Sequence, residues 1–283
     1  MHEILRDDDP QLHAIAIERN IIEQYPFIFS SWPRFELRRT EDLVWYTSGI
    51  AHPSLNHILL AKLNPETVDL DIDEILAEFT SRRVPVTWSI GPSSRPGNLS
   101  VYLTRCGLTY LKDEIGMAMD LATVKSDQID LSGLEIQQVH HEEMLREWFQ
   151  PVSVSFGYPQ NVATVLYDLY SRIGFNETVP WQLFVGYLRG KPVGAARVFF
   201  GAGVAGIYHV ATVPEVRGQG IGTAMTLTSL RAARNRGYRI GVLRAAEEAL
   251  GLYRRLGFRE YCPFHFYIWP GRRHHANFSQ KKC

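Results

Sequence analysis

Residues 12–25 set apolar side chains at helical spacing; Pro26 and Pro33 close that pattern, and an Arg- and Glu-rich stretch leads on to Asp42. Strand-like runs at 43–46 and 57–63 are separated by Gly49 and Pro53. An amphipathic helix over 72–82, a strand over 84–90, a short helix over 99–105 and an alternating strand over 114–121 complete the first half. Between 122 and 132 the chain turns polar and loses periodicity, which marks a linker. The second half opens with a strand at 134–139 and helices at 142–149 and 162–173. Strands at 182–188, 193–200 and 206–212 lead to a glycine-rich turn, followed by a helix over 221–235, a strand over 239–243, a helix over 247–256 and a strand over 260–269. Strands alternating with helices predict an α/β (α+β) protein. The polar gap divides it into domains 1–125 and 131–270, with a basic tail at 271–283 that reads as a solvated end.

Both halves close in the same order: strand, longer helix, strand, short helix, strand. Leu103-Thr104-Arg105-Cys106-Gly107-Leu108 can be laid over Tyr253-Arg254-Arg255-Leu256-Gly257-Phe258. Glycine after a helix is common cap chemistry, so that match alone carries little. The shared order of elements makes a divergent tandem repeat the expectation.

Composition narrows the function. Hydrophobic residues are 45% and charged residues 21%, enough for real cores, and 283 residues suit two medium domains. Lys plus Arg and Asp plus Glu each total 30, so no whole-chain field draws in nucleic acid or a membrane surface, and any anion must be held locally. The three cysteines are widely spaced and form no Cys/His cluster, which argues against disulfides and a bound metal. Residues 1–10 lack a signal peptide's basic and apolar regions, and no run stays apolar for ~18 residues. A cytoplasmic location is expected.

The sharpest local signal is Arg217-Gly218-Gln219-Gly220-Ile221-Gly222-Thr223, three glycines where a strand passes into a helix. Backbone N–H groups in a helix's first turn lack internal partners and the helix dipole favours anions, so a diphosphate fits there. Glycines allow close approach, and Arg217 adds charge-assisted hydrogen bonds. The Lys-Ser/Thr of a Walker loop is missing, and the turn lies mid-domain rather than opening a dinucleotide-binding unit.

With Arg217, Gly220 and Gly222 matching R/Q-x-x-G-x-G/A, and Tyr253-x-x-x-Gly257-Phe258 at the right separation, the chain resembles the GNAT superfamily of N-acyltransferases. The resemblance is clear over 134–269 and reaches the first half only through element order. It implies two tandem GNAT-like domains, each a mixed, mostly antiparallel sheet flanked by helices, the first degenerate. It further implies that acetyl-CoA pairs with the backbone of Val210, Ala211 and Thr212 and places its diphosphate on residues 217–223. Tyr253 takes the family's general-acid place. An amine is the implied acceptor, attacking the thioester directly, and a homodimer is compatible with the family.

Some positions depart from the pattern. Ala246 stands where many relatives carry a cofactor-binding Asn, and Gly241 where some carry a basic Glu. His209 either relays the amine's proton through water or points into a core. Glu247 and Glu248 read as partners of a helix dipole. His52 and Asn56 either help to form an acceptor pocket or are polar turn residues. The first half has Leu103 in place of the tyrosine and Asn64-Pro65-Glu66-Thr67 in place of the glycine turn, so it is expected neither to bind acetyl-CoA nor to catalyse. The rival reading is a non-catalytic acetyl-CoA sensor.

Overall fold

The computed structural model describes residues 4–5, 9–124, 131 and 133–271. In chain order the elements are α1 (Pro10–Phe29), β1 (Glu36–Arg39), β2 (Leu43–Thr47), β3 (Asn56–Ala61), α2 (Val68–Ser81), β4 (Val86–Ile90), α3 (Leu99–Arg105), β5 (Thr109–Asp120) and β6 (Leu134–Gln138). They continue with α4 (Glu142–Phe156), α5 (Gln160–Ile173), β7 (Trp181–Leu188), β8 (Lys191–Gly201), β9 (Val204–Thr212), α6 (Ile221–Asn235), β10 (Ile240–Ala245), α7 (Glu247–Leu256) and β11 (Arg259–Trp269). The α/β reading holds, and the strand pairings are mostly antiparallel.

Proline misleads at two places. Helix α1 contains Pro26 and ends at Phe29, and α4 contains Pro151 and ends at Phe156. Each proline gives up one backbone bond, a loss that packing of the surrounding turns outweighs. Strand β1 is exposed at all four positions, so no alternation announces it. Of the expected linker, 125–130 and 132 lie outside the described residues, as does the tail from 272 onward.

Two compact units form. Unit 1 joins residues 1–24 to 116–261, and unit 2 joins 25–115 to 262–283. In unit 1 the strand order is β5, β10, β9, β8, β7, β6. All registered neighbours from β9 to β6 are antiparallel, and β9 with β10 is parallel. In unit 2 the order is β1, β2, β3, β4, β11, parallel only between β3 and β4. Each unit therefore takes its closing strand from the other half of the sequence: β5 lies beside β10, and β11 beside β4. The units differ in this way from the contiguous spans 1–125 and 131–270.

Within unit 2, α2 buries Val68, Ile72, Ile75, Leu76 and Phe79 in a core with Trp45, Trp88 and Trp269. Each such side chain contributes roughly 1.5–3 kcal/mol. Within unit 1, the first part of α1 lies on the β8–β9 hairpin. Asn20 Nδ2 donates to Gly201 O at 2.8 Å, and the Ala202 amide donates to Glu23 Oε2 at 2.7 Å. A Cβ at Gly206 would run into Asn20 Oδ1 and the ring of Tyr208. Among the described residues no helix is long and apolar enough to cross a membrane, and no group of three or more His, Cys, Asp or Glu is placed to share a metal ion.

Candidate active site

The site grows from a break in the β8–β9 ladder. One register runs from Gly201↔Val204 to Arg197↔Tyr208, and another resumes at Ala195↔Ala211. Ala196 therefore faces two residues, His209 and Val210, which form a β-bulge. His209 has φ +50°, a left-handed conformation that costs a non-glycine residue on the order of 1–2 kcal/mol. Neighbours hold it there. Trp148 Nε1 on α4 donates to Ala196 O at 3.0 Å, and the rings of Trp148 and Phe156 meet the imidazole edge-on at 5.6 and 5.4 Å.

Ahead of the bulge β9 already leaves its other neighbour. The parallel ladder with β10 comprises Gly241↔Ala205 and Val242↔Gly206. The later residues of β9, including Val210, Ala211 and Thr212, run past the point where β10 pairs with it. Such an edge presents backbone groups that an extended ligand can satisfy. Thr212 O already accepts from Ser155 Oγ and Arg217 Nε, each at 3.1 Å.

A short 3-10 turn, Pro214–Val216, then carries the chain into α6. Gly218 and Gly220 have φ +77° and +82°, which explains both glycines by backbone conformation. Gly220 is the N-cap of α6, no side chain caps that terminus, and its first turn carries no acid. Gly222 differs. A Cβ there would meet Leu252 Cδ1 at 3.6 Å and Thr212 Oγ1 at 3.7 Å, ordinary contacts. Internal packing does not demand this glycine, whereas a phosphate lying against the backbone would. The same contacts bring the end of β9, the start of α6 and the face of α7 bearing Leu252 to one place. Two further glycines let α6 lie close on the sheet: a Cβ at Gly186 would stand 2.9 Å from Met225 Sδ, and one at Gly194 2.9 Å from Ile221 Cγ2.

Tyr253 follows Leu252 on α7 and is buried. Burial pushes its phenol up to about 12, so it keeps its proton at neutral pH. Its ring meets Phe258 edge-on at 5.7 Å. The helix ends with Gly257 N–H donating to Arg254 O and Phe258 N–H donating to Tyr253 O, a Schellman cap. His209 behaves oppositely. Desolvation, reinforced by the nearby guanidinium of Arg197, drives its imidazole well below the usual range, so it is neutral at pH 7. Its Nε2 lies 3.4 Å from Tyr158 Oη, and its buried Nδ1 has no hydrogen-bond partner among the described residues.

A model of the acetyltransferase (GNAT) domain matches residues 180–260, the stretch that holds the bulge, the glycine turn and Tyr253. By that match the stretch resembles a GNAT acetyltransferase domain. The chain also resembles human N-acetyltransferase 8B at 38% identity over 66 residues, which is 22% of this chain and 29% of that protein's length. Over nearly the whole chain the fold resembles a GCN5-related N-acetyltransferase from Kribbella flavida, with a TM-score of 0.71 at 18% identity, covering 92% of this chain and 97% of that one. It also resembles a tandem GNAT protein from the clavulanic acid biosynthesis pathway, with a TM-score of 0.56 at 16% identity and 94% of each chain covered.

Within residues 180–260 the departures from the family pattern have structural reasons. A side chain at Gly241 would stand 2.9 Å from both Leu121 Cδ2 and Leu230 Cδ2, so apolar packing fills the place of a carboxylate. Ala246 is the N-cap of α7 and offers no capping group, while Glu247 and Glu248 occupy the first turn as dipole partners. In unit 2, Asn56 accepts from Thr47 Oγ1 and Ser48 N and donates to Ile50 O, His52 O and Pro85 O, which commits it to a turn. His52 Nδ1 accepts from Ser54 N at 3.3 Å. Tyr158 and Arg197 escaped the sequence reading. Only Arg197 left a trace there, as one charge in the apolar run 193–200.

Proposed function

We propose that the chain is an N-acetyltransferase that moves the acetyl group of acetyl-CoA to a primary amine by direct attack. The observation that carries this reading is the departure of β9 from β10 immediately ahead of an uncapped, acid-free helix terminus with glycine at Gly222. An extended arm can add along Val210, Ala211 and Thr212, and a diphosphate can lie on the N–H groups of residues 218–223 with Arg217 beside it. A backbone N–H at the bulge stabilises the oxyanion as the amine nitrogen bonds to the thioester carbon. His209 takes the proton that nitrogen loses. The C–S electron pair leaves on sulfur, and Tyr253 donates its phenolic proton to that thiolate.

We also take the functional repeat to follow the chain: 1–125 is a degenerate GNAT-like domain and 131–270 the acetyl-CoA-binding one, with closing strands exchanged between the units. The test mixes purified protein with acetyl-CoA and a panel holding an amino sugar, an amino-acid ester, a lysine peptide and an arylalkylamine, and follows release of CoA thiol. Amine-dependent release is expected. Tight acetyl-CoA binding with no release for any amine would replace this reading with that of a sensor.

A further inference from the structure

His209 sits in a bulge, and a bulge re-aims the side chain it carries. Here it turns the imidazole toward the end of α4, where the rings of Trp148 and Phe156 meet it edge-on. The two ring nitrogens end in different surroundings. Nδ1 is buried with no hydrogen-bond partner among the described residues, while Nε2 lies 3.4 Å from Tyr158 Oη. With Nδ1 shut off from solvent, protons reach and leave the imidazole at Nε2, and a phenol stands on that nitrogen. Gly157 caps α4 in the left-handed conformation at φ +62°, Tyr158 N–H donates to Ser153 O at 3.1 Å, and Pro159 follows, so the backbone fixes where the phenol begins. Its ring stacks on Phe156 at 5.9 Å with the planes 19° apart.

The same segment reaches the edge assigned to the acetyl-CoA arm. Ser155 Oγ donates to Thr212 O at 3.1 Å, so residues 155–158 touch β9 at His209 and at Thr212, on either side of Val210 and Ala211. From Phe149 to Tyr167 the chain carries no Asp, Glu, Lys or Arg. No carboxylate of this segment competes for the amine's proton, and Gly241 supplies none. A hydroxyl both donates and accepts. We propose that Tyr158 is a further catalytic residue, a relay that carries the amine's proton to His209. As the amine nitrogen bonds to the thioester carbon, its N–H proton moves to Tyr158 Oη while the phenolic proton moves to His209 Nε2. The C–S electron pair leaves on sulfur, which takes the Tyr253 proton, and the proton held by His209 returns through Tyr158 and water to the Tyr253 phenolate. The 3.4 Å separation is long for an O–H···N bond, as catalytic hydrogen bonds are before substrate tightens them. The relay rests on the acyl-transfer reading and demands one tautomer, with the lone pair on Nε2 and the hydrogen on Nδ1. Either tautomer leaves Nδ1 unpaired, so the contact at Nε2 decides between them.

The test has two arms. In the first, nitrogen-15 NMR of the full chain, with His209 assigned through His209→Asn, reads the tautomer without any transfer. The wild type should carry its hydrogen on Nδ1, and Tyr158→Phe, which keeps the ring stack and removes only the hydroxyl, should move the Nε2 resonance. A hydrogen on Nε2 in the wild type, or an unmoved Nε2 resonance in Tyr158→Phe, overturns the relay. The second arm takes the amine of the panel that releases CoA thiol fastest. Tyr158→Phe should lower kcat by ~100-fold with both KM values kept. Added to His209→Asn it should cause no further loss, since the two groups act in one chain. In mixtures of light and heavy water the wild-type rate should curve with deuterium content, two protons moving together, and the Tyr158→Phe rate should run straight. A purely structural defect would not produce that change. Full turnover in Tyr158→Phe, or losses that multiply, would mean that the amine's proton leaves without Tyr158. No turnover with any amine overturns the acyl-transfer reading and the relay with it, whereas turnover without these effects overturns the relay alone.

Discussion

Each unit contains a strand that leaves its parallel neighbour after two registered pairs, β9 from β10 and β3 from β4. Each such strand also has a register break against its antiparallel neighbour. Past that break the two units part. In unit 2 the segment after β4 returns to the free edge: Arg95 N–H donates to Ala61 O and Leu63 N–H donates to Arg95 O, both at 3.0 Å, with Lys62 and Arg95 bridged in parallel. In unit 1 a single residue, Ala246, joins β10 to α7, and among the described residues no such segment returns. The helix termini differ as well. Asp69 and Asp71 occupy the first turn of α2, supplying the negative charge its dipole favours, whereas α6 begins at an αL glycine with no acid. One architecture thus either satisfies its own edge or leaves it open. Which occurs depends on the link after the middle strand and on the charge of one helical turn.

The comparison is broken most forcefully at the residue that differs between two otherwise equivalent caps. Leu108 N–H donates to Leu103 O as Phe258 N–H donates to Tyr253 O, so the tyrosine hydroxyl is what unit 1 adds. Tyr253→Phe should lower kcat by ~100-fold, the low end for a positioned acid because a thiolate leaves readily, with acetyl-CoA affinity kept. Steady-state kinetics beside calorimetry check this. Full turnover would remove the acid, and lost binding would make Tyr253 a packing residue. Trp148→Phe comes next. It keeps a ring but deletes the bond to the buried Ala196 carbonyl, and should destabilise unit 1 by about 1–3 kcal/mol in urea unfolding. An unchanged midpoint would mean the bulge is held by other contacts.

These tests also show how much the sequence disclosed. The order of elements was legible because half-buried strands and amphipathic helices announce their periods, and the glycine turn because its spacing is unusual. The Tyr-x-x-x-Gly-Phe run mixes two messages: Gly257 and Phe258 end a helix, as Gly107 and Leu108 do, and only the hydroxyl points to chemistry. The exchange of β5 and β11 was illegible, since both strands alternate as well beside one partner as beside another. Trp148 reads as core in any apolar helix, and only the register break reveals the carbonyl it serves. Pro26 closes the helical pattern by a local rule, yet tertiary packing carries α1 on to Phe29.

A smaller effect is expected at the cradle. Gly220→Val forces a β-branched residue to φ +82° with Leu131 Cδ2 3.3 Å from its Cβ. At about 1–2 kcal/mol for the left-handed conformation, acetyl-CoA affinity should fall by roughly tenfold or more. Calorimetry of the folded wild type should give one acetyl-CoA per chain, because unit 2 fills its own edge. A stoichiometry of two would break the comparison outright, and unchanged affinity in the variant would sink the diphosphate assignment.

The smallest effect concerns two strand histidines, one buried and one half-buried. His57 on β3 has Ser89 Oγ 2.5 Å from its Nε2, while Nδ1 of His209 has no partner among the described residues. An unfolded imidazole titrates near 6.5, and that of folded His209 lies well below its ordinary value. Above pH ~6.5 neither state binds the proton and His209 contributes nothing to pH dependence. As pH falls below that value the unfolded chain takes the proton and the folded one refuses it. Stability is therefore lost on acidification, by at most about 1.4 kcal/mol per pH unit for one proton, until the folded value is reached. His209→Asn removes the titrating group with a residue that tolerates positive φ. Its urea midpoints should fall less steeply between pH 7 and 5 than those of the wild type, whatever constant offset the lost ring contacts add. Parallel slopes would show that the imidazole at the bulge is free to charge, and would leave the neutral proton acceptor without a physical basis.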